Sequence, residues 1–168
     1  MKKLIKLTAL FSVVALLMFG CGKTDEQKKM ESDLNDEVQK LHDEGMALST
    51  ELSGLQADLS AKLAKKDSLA NAVAKELAGT STEAVNASIA KIKSSTEAMN
   101  NWMMNHKGYD EKAKHEEVIA TLTTEKEAVS KVKTELEAAL TDAKSTVSTL
   151  DSAIAELVAK KPAKGKKK

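Results

Sequence analysis

From Leu122 to Leu157 the chain reads LTTEKEAVSKVKTELEAALTDAKSTVSTLDSAIAEL. Leu122, Val129, Leu136, Ala143, Leu150 and Leu157 recur in it every seven residues, and Val118, Val132, Leu140, Val147 and Ile154 fill the flank. An apolar repeat of seven residues is the pattern of an α-helix that lays one stripe against neighbouring helices. The stretch contains neither Gly nor Pro, so nothing in it breaks the helix.

The same reading extends upstream. Leu34, Val38, Leu41, Gly45, Leu48, Leu52, Leu55 and Leu59 alternate spacings of four and three, with Gly45 as the one gap in the seam. The seam then passes through Leu63, Ala70, Val73 and Leu77. The two consecutive steps of four that end at Leu63 form a stutter, which locally unwinds a supercoil. Gly79 suits the residue after a helix, and Thr80 with Glu83 has capping-box spacing. Val85, Ile89, Ile92, Thr96, Met99, Met103 and His106 make a second seam, ended by Gly108, with Asp110 as the next N-cap. These boundaries predict helices near 27–78, 82–106 and 111–159. The expected fold is all-α: an elongated antiparallel three-helix coiled coil or bundle. At 1.5 Å per residue the outer helices would be roughly 75 Å long and the middle one nearer 40 Å. The middle helix is too short to cover both, which leaves a two-stranded stretch, an overhang or a surface for a partner.

Composition excludes most alternatives. The 168 residues include four aromatics, Phe11, Phe19, Trp102 and Tyr109, so only two lie beyond position 21. Aromatic rings supply the large buried areas of compact interiors; here Leu, Val and Ala must do so. A sheet-based fold is not expected.

The N-terminus carries an address. Lys2, Lys3 and Lys6 form a basic region, and Leu7 to Phe19 is uncharged and mostly apolar. That run is shorter than the about 20 residues a membrane-spanning helix needs, and it fits an export signal. Leu17-Met18-Phe19-Gly20-Cys21 resembles the lipobox of bacterial lipoproteins, with Met18 and Phe19 where that family usually carries Leu and a small residue. The resemblance implies removal of residues 1–20 and attachment of acyl chains to Cys21, the chain's one cysteine, followed by a short tether over 21–29 and a helical domain over 30–159. It also implies a lipid-anchored protein of the cell envelope. By the same resemblance, Gly22, where enteric-type lipoproteins retained at the inner membrane carry Asp, implies the outer membrane facing the periplasm.

A formal net charge of +1 conceals a partition. All 25 acidic residues lie between Cys21 and Ala159. The last nine residues hold Lys160, Lys161, Lys164, Lys166, Lys167 and Lys168 with no acid. Such a block repels itself and is expected to be a disordered tail. Behind an export signal the polyanions within its reach are lipopolysaccharide, lipid headgroups, acidic cell-wall polymer or the protein's own acidic body; a solubilising tail without a ligand is the other reading, and nucleic acid is not expected.

Catalytic patterns are thin. Beyond Cys21 there is no nucleophile motif and no Gly-rich phosphate loop, so a non-enzymatic role and no cofactor beyond the acyl chains are expected. One cluster has two readings. His42 with Met46, and Met99, Trp102, Met103 and His106, supply the thioether and imidazole groups that soft metals such as Cu(I) prefer. Equally, Met99 and Met103 lie on the apolar seam of the second helix, where Met fills irregular space and Trp102 caps a small core. The segments His42-Asp43-Glu44-Gly45-Met46, Met99 to Met103, His115 to Val118 and Glu125 to Lys133 resemble small helical envelope lipoproteins sometimes labelled viral A-type inclusion protein. That group implies the same location and helical fold. The sequence reading is therefore a spacer, scaffold or coiled-coil partner-binding module, with self-association open and a periplasmic soft-metal or small-ligand binder as its alternative.

Overall fold

The computed structural model describes residues 22–73 and 79–160, without the side chains of residues 72, 73 and 79–81. The expected signal over 1–20, the acyl site Cys21, Leu77, and Lys161, Lys164, Lys166, Lys167 and Lys168 lie outside the described residues. The chain is all-helical: α1 spans Asp25–Val73, α2 Gly79–Asn105 and α3 His115–Lys160. No strand occurs among the described residues.

The helix ends differ from the sequence expectation for identifiable reasons. α1 begins at Asp25 because Thr24 and Gln27 form a reciprocal capping box. The Thr24 N–H donates to Gln27 Oε1 at 2.9 Å, and the Gln27 N–H donates to Thr24 Oγ1 at 3.2 Å. The tether expected over 21–29 is therefore shorter, since residues 25–29 are helical. Gly79, expected to follow a helix, is instead the first residue of α2. Gly108 does terminate the segment after α2, with φ of +66°. Asp110 does not cap α3. Its carboxylate accepts from the Lys112 N–H at 2.9 Å and its carbonyl from the Ala113 N–H, so it closes a turn of its own. α3 then starts five residues later, with the Lys114 carbonyl accepting from Glu117 and Val118. Lys160, expected in the tail, is the last residue of α3 and is exposed.

Contacts between helices fix their directions. Passing up α1, Glu31 meets His115, Glu44 meets Lys133 and Lys62 meets Asp151 on α3. The two long helices thus run the same way. α2 runs against them: Lys66 of α1 meets Thr82 near its start, Gly45 meets Met99, and His42 meets Trp102 near its end. The connector 106–114 then descends beside the α1–α3 pair from the level of Glu125 to that of His115 and Lys23. It occupies part of the length that the short α2 leaves uncovered.

Most of the described core is one continuous cluster. On α3 every position of the seven-residue repeat, from Leu122 to Leu157, is buried. Each fully buried Leu or Val contributes about 1.5–3 kcal/mol relative to exposure. On α1 the buried column is Glu31, Val38, Gly45, Leu52, Leu59 and Lys66. Its members are also seven apart, but three carry no apolar side chain. Lys66, not Leu63, takes the fully buried place after Leu59. On α2 Val85, Ile92 and Met99 are buried as expected, but their inner companions are Ser88 and Ser95 rather than Ile89 and Thr96. Ser95 Oγ donates back to the Lys91 and Ile92 carbonyls at 3.0 Å, so a small polar side chain enters the core with its hydrogen bond made locally. Ile89 packs half-buried at the side.

Gly45 is a socket. A Cβ built there would lie 2.1 Å from Met99 Cε, with Leu136 Cδ1 at 3.6 Å. The gap in the first seam is thus filled from the second helix, against the third.

Candidate functional site

Three places bring chemically capable side chains together, and they are spread along the molecule. The first is at the start of α1. The Glu31 side chain is only 5% exposed, yet both oxygens are engaged. Oε1 accepts from His115 Nδ1 at 3.0 Å, and Oε2 from Lys23 Nζ at 2.8 Å. Lys23 Nζ also donates to the Glu111 carbonyl at 2.8 Å. Burial alone would push the Glu31 carboxyl up. The hydrogen bonds and charges of Lys23 and His115 outweigh it and hold the group below its ordinary value. Three segments, the residues before α1, α1 itself and α3, meet at this carboxylate, and Lys23 ties the connector to it through the Glu111 carbonyl.

The second place holds the residues singled out for soft-metal binding. The Trp102 ring contacts His42 at a centroid separation of 5.6 Å and stacks on His106 at 4.8 Å. Each histidine has a carboxylate on Nδ1: Asp43 for His42 at 3.1 Å, Glu125 for His106 at 3.0 Å. Trp102 Nε1 is buried without an acceptor among the described residues. The methionines go elsewhere. Met99 is fully buried with its thioether against Gly45, Met103 packs half-buried on the core, and Met46 is 37% exposed. His42 and His106 therefore share one indole, while Met99 serves the helix packing. No group of three or more His, Cys, Asp or Glu placed to hold a metal ion occurs among the described residues. The arrangement can support ring stacking and histidine–carboxylate pairing across three helices.

The third is a ladder of ion pairs along α1 and α3. Lys126 pairs with Glu37, Lys133 with Glu44 at 2.8 Å, Lys144 with Glu51 at 2.8 Å and Lys62 with Asp151. The hydrogen bond from Lys133 holds the Glu44 carboxyl below its ordinary range, and Glu44 in turn raises the Lys133 ammonium. Asp151 raises Lys62 in the same way. These pairs are substantially exposed and contribute little each; their order along both helices shows which residues stand opposite one another.

Beyond the ladder, Lys66, Ala153, Glu156, Leu157 and Lys160 line a cavity of about 40 Å³. That is room for a water and far below the about 300 Å³ of small-molecule pockets. No helix among the described residues is long and apolar enough to cross a membrane.

The chain matches no family model, no curated protein and no solved structure.

Reasoning from sequence missed Glu31, Lys66, Ser88 and Ser95 as interior residues, because apolar periodicity gives a polar side chain no weight. A signal was present for two of them. Glu31 and Lys66 stand seven residues before Val38 and seven after Leu59, in register with the seam they close.

Proposed function

We propose that this protein is a non-enzymatic, lipid-anchored helical spacer or scaffold of the bacterial cell envelope. Acyl chains on Cys21 hold one end at a membrane, and the three helices form an up-down-up coiled-coil bundle with α2 antiparallel to both long helices. The Lys-rich segment from Lys160 to Lys168 meets anionic envelope polymer at the other end. The observation that carries this reading is the common direction of α1 and α3. With α3 46 residues long, Lys160 leaves the helical body about 70 Å from the level of His115 and Lys23. A spacer needs its anchored and basic ends apart, and Lys23 and Lys160, described residues next to those ends, lie at opposite ends of the length of α3.

The interior favours a structural role. The described core is a column of Leu, Val, Ile, Ala and Met99, closed on α1 by Glu31 and Lys66, with a ladder of further ion pairs outside it. Each buried CH₂ of an acyl chain contributes about 0.8 kcal/mol, so a Cys carrying more than one chain is a durable tether.

The test is expression of the full chain in a bacterial host, with membrane fractionation and mass spectrometry of the N-terminal peptide. The expected species begins at an acylated Cys21 and stays with the membrane, whereas Cys21→Ser abolishes both modification and retention. Removal of residues 161–168 should leave the membrane association intact and weaken co-sedimentation with anionic cell-wall polymer. Unmodified Cys21 in the wild type refutes the anchor, and unchanged co-sedimentation refutes the basic contact.

A further inference from the structure

The Glu31 cluster carries a consequence that the spacer role does not require. Glu31 opens the buried column of α1, at a place where the seven-residue repeat would put an apolar side chain. Lys23, Glu31 and His115 have side-chain exposures of 14%, 5% and 16%, so the three charges or dipoles are largely removed from water together. Each carboxylate oxygen serves a different segment. We propose that Lys23, Glu31 and His115 form an acid-released latch that ties the residues preceding α1 to the start of α3.

The chemistry of the carboxylate sets the direction. An ionised carboxylate accepts from both partners and offsets their charge. Protonated, it loses the charge and turns part of its acceptor capacity into a donor, which the Lys23 ammonium cannot accept. Lys23 then faces a neutral acid in a site with little water, and the arrangement opens. Its dependence on pH follows from the position of the folded-state value below the ordinary carboxyl value of 4.5. The latch is fully closed above 4.5 and is lost as pH falls through the lower folded value.

The surrounding charges do not substitute for it. On α1, Lys28 pairs with Asp25 and Lys29 with Asp33, all well exposed. On the connector, Glu111 contributes its carbonyl and Asp110 closes its own turn. On α3, Glu116 and Glu117 are exposed. Among the described residues, the partners of the Glu31 carboxylate are therefore Lys23 and His115. Lys23 stands two residues after Cys21, so a pull transmitted from a lipid anchor would enter the protein at this latch. That last point rests on the proposed acylation; the latch itself does not.

The test is hydrogen exchange of the full chain in detergent, followed by mass spectrometry across acid pH, with rates corrected for the intrinsic pH dependence. In the wild type, segments 22–32 and 111–119 should lose protection together as pH falls through the depressed folded value. Segment 129–150 should keep its protection over the same range. Glu31→Gln should weaken protection of both end segments at neutral pH and remove the acid step, and Glu44→Gln should leave the step in place. Should Glu31→Gln fail to fold, Lys23→Met and His115→Asn each remove one partner and should move the step upward toward 4.5. An acid step that survives in Glu31→Gln, stays put in both partner variants, or occurs in all segments at once overturns the proposal.

Discussion

Gly45 and Gly54 lie in the same helix, nine residues apart, and their substitution by Ala should move stability in opposite directions. In an exposed helix interior Gly→Ala gains about 0.8–1 kcal/mol, because Gly loses more backbone freedom on folding. At Gly54 nothing lies within 4 Å of an added Cβ, so the full gain is expected. At Gly45 the same methyl meets Met99 Cε at 2.1 Å, with Leu136 Cδ1 at 3.6 Å behind it. Met99 Cε is the far end of a flexible side chain, but that side chain is fully buried, so the shift it must make is against packed neighbours. Overpacking of this kind costs about 1–3 kcal/mol, which turns the helix gain into a net loss of roughly 0–2 kcal/mol. The difference between the two variants, which cancels the shared helix preference, is thus about 1–3 kcal/mol. Urea unfolding followed by circular dichroism measures it directly, since both variants should keep the wild-type slope. A double-mutant cycle with Met99→Ala gives the second reading. Met99→Ala alone should cost about 2–5 kcal/mol. Combined with Gly45→Ala it should cost measurably less than the sum, with a coupling of about 0.5–3 kcal/mol. If Gly45→Ala stabilises as much as Gly54→Ala, or the cycle is additive, the socket is not what joins α1 to α2.

Thr24→Ala removes the capping box at the start of α1 and should destabilise by about 0.5–2 kcal/mol, with amide exchange of residues 25–28 rising first. Lowering the pH should weaken the Glu44–Lys133 pair. Its contribution is present above the ordinary carboxyl value and fades as pH falls through the depressed folded value, so Glu44→Gln should flatten the acid limb of a stability–pH curve, and added salt should narrow the difference. Trp102→Phe keeps a ring between His42 and His106 and deletes a buried N–H that has no described acceptor; its chemical-denaturation midpoint should imply a change within about 1 kcal/mol. Silver(I) added in stoichiometric amount should leave Trp102 fluorescence unquenched if the methionines serve packing, and strong quenching would revive a metal site at His42 and His106.

The sequence contained the number of helices and the seven-residue stripe that α3 buries, though not Ala139 beside it. Those follow from period alone, because Leu122 through Leu157 never depart from seven and meet no competing residue. It was less informative where a residue's role depends on a distant partner. Asp110 looks like an N-cap, and its side chain does cap a backbone N–H, but the turn it closes ends before α3 begins. Ile89 and Thr96 fit the second seam by spacing. Yet the close approach of three helices admits the smaller Ser88 and Ser95 and leaves the larger pair at the side. The metal-binding reading of Met99 separated from that of His42 for the same reason: one helix turn sets which side chains share a face, and only the neighbouring helix decides whether that face is filled by a glycine or an indole.

These departures from pattern also answer a question the pattern raises. On α3 the buried places are Leu, Val, Leu, Ala, Leu and Leu at intervals of seven, and on α1 the apolar ones are Val38, Leu52 and Leu59. Sliding one helix past the other by seven residues, about 10 Å, would still set apolar against apolar. A uniform repeat holds helices together without specifying where they meet. Three irregular positions specify it. Gly45 accepts Met99 at one level only, because a slip of seven would drive that thioether onto Val38 or Leu52. Glu31 requires His115, and a slip of α1 against α3 would carry Glu31 and Lys23 away from it together, breaking the buried pair that ties the two helices. Lys66 closes the far end of the same column near Asp67 and Thr82. The polar residues that periodicity passes over thus supply what periodicity lacks, a fixed register, and with it a fixed distance between the two ends of the molecule.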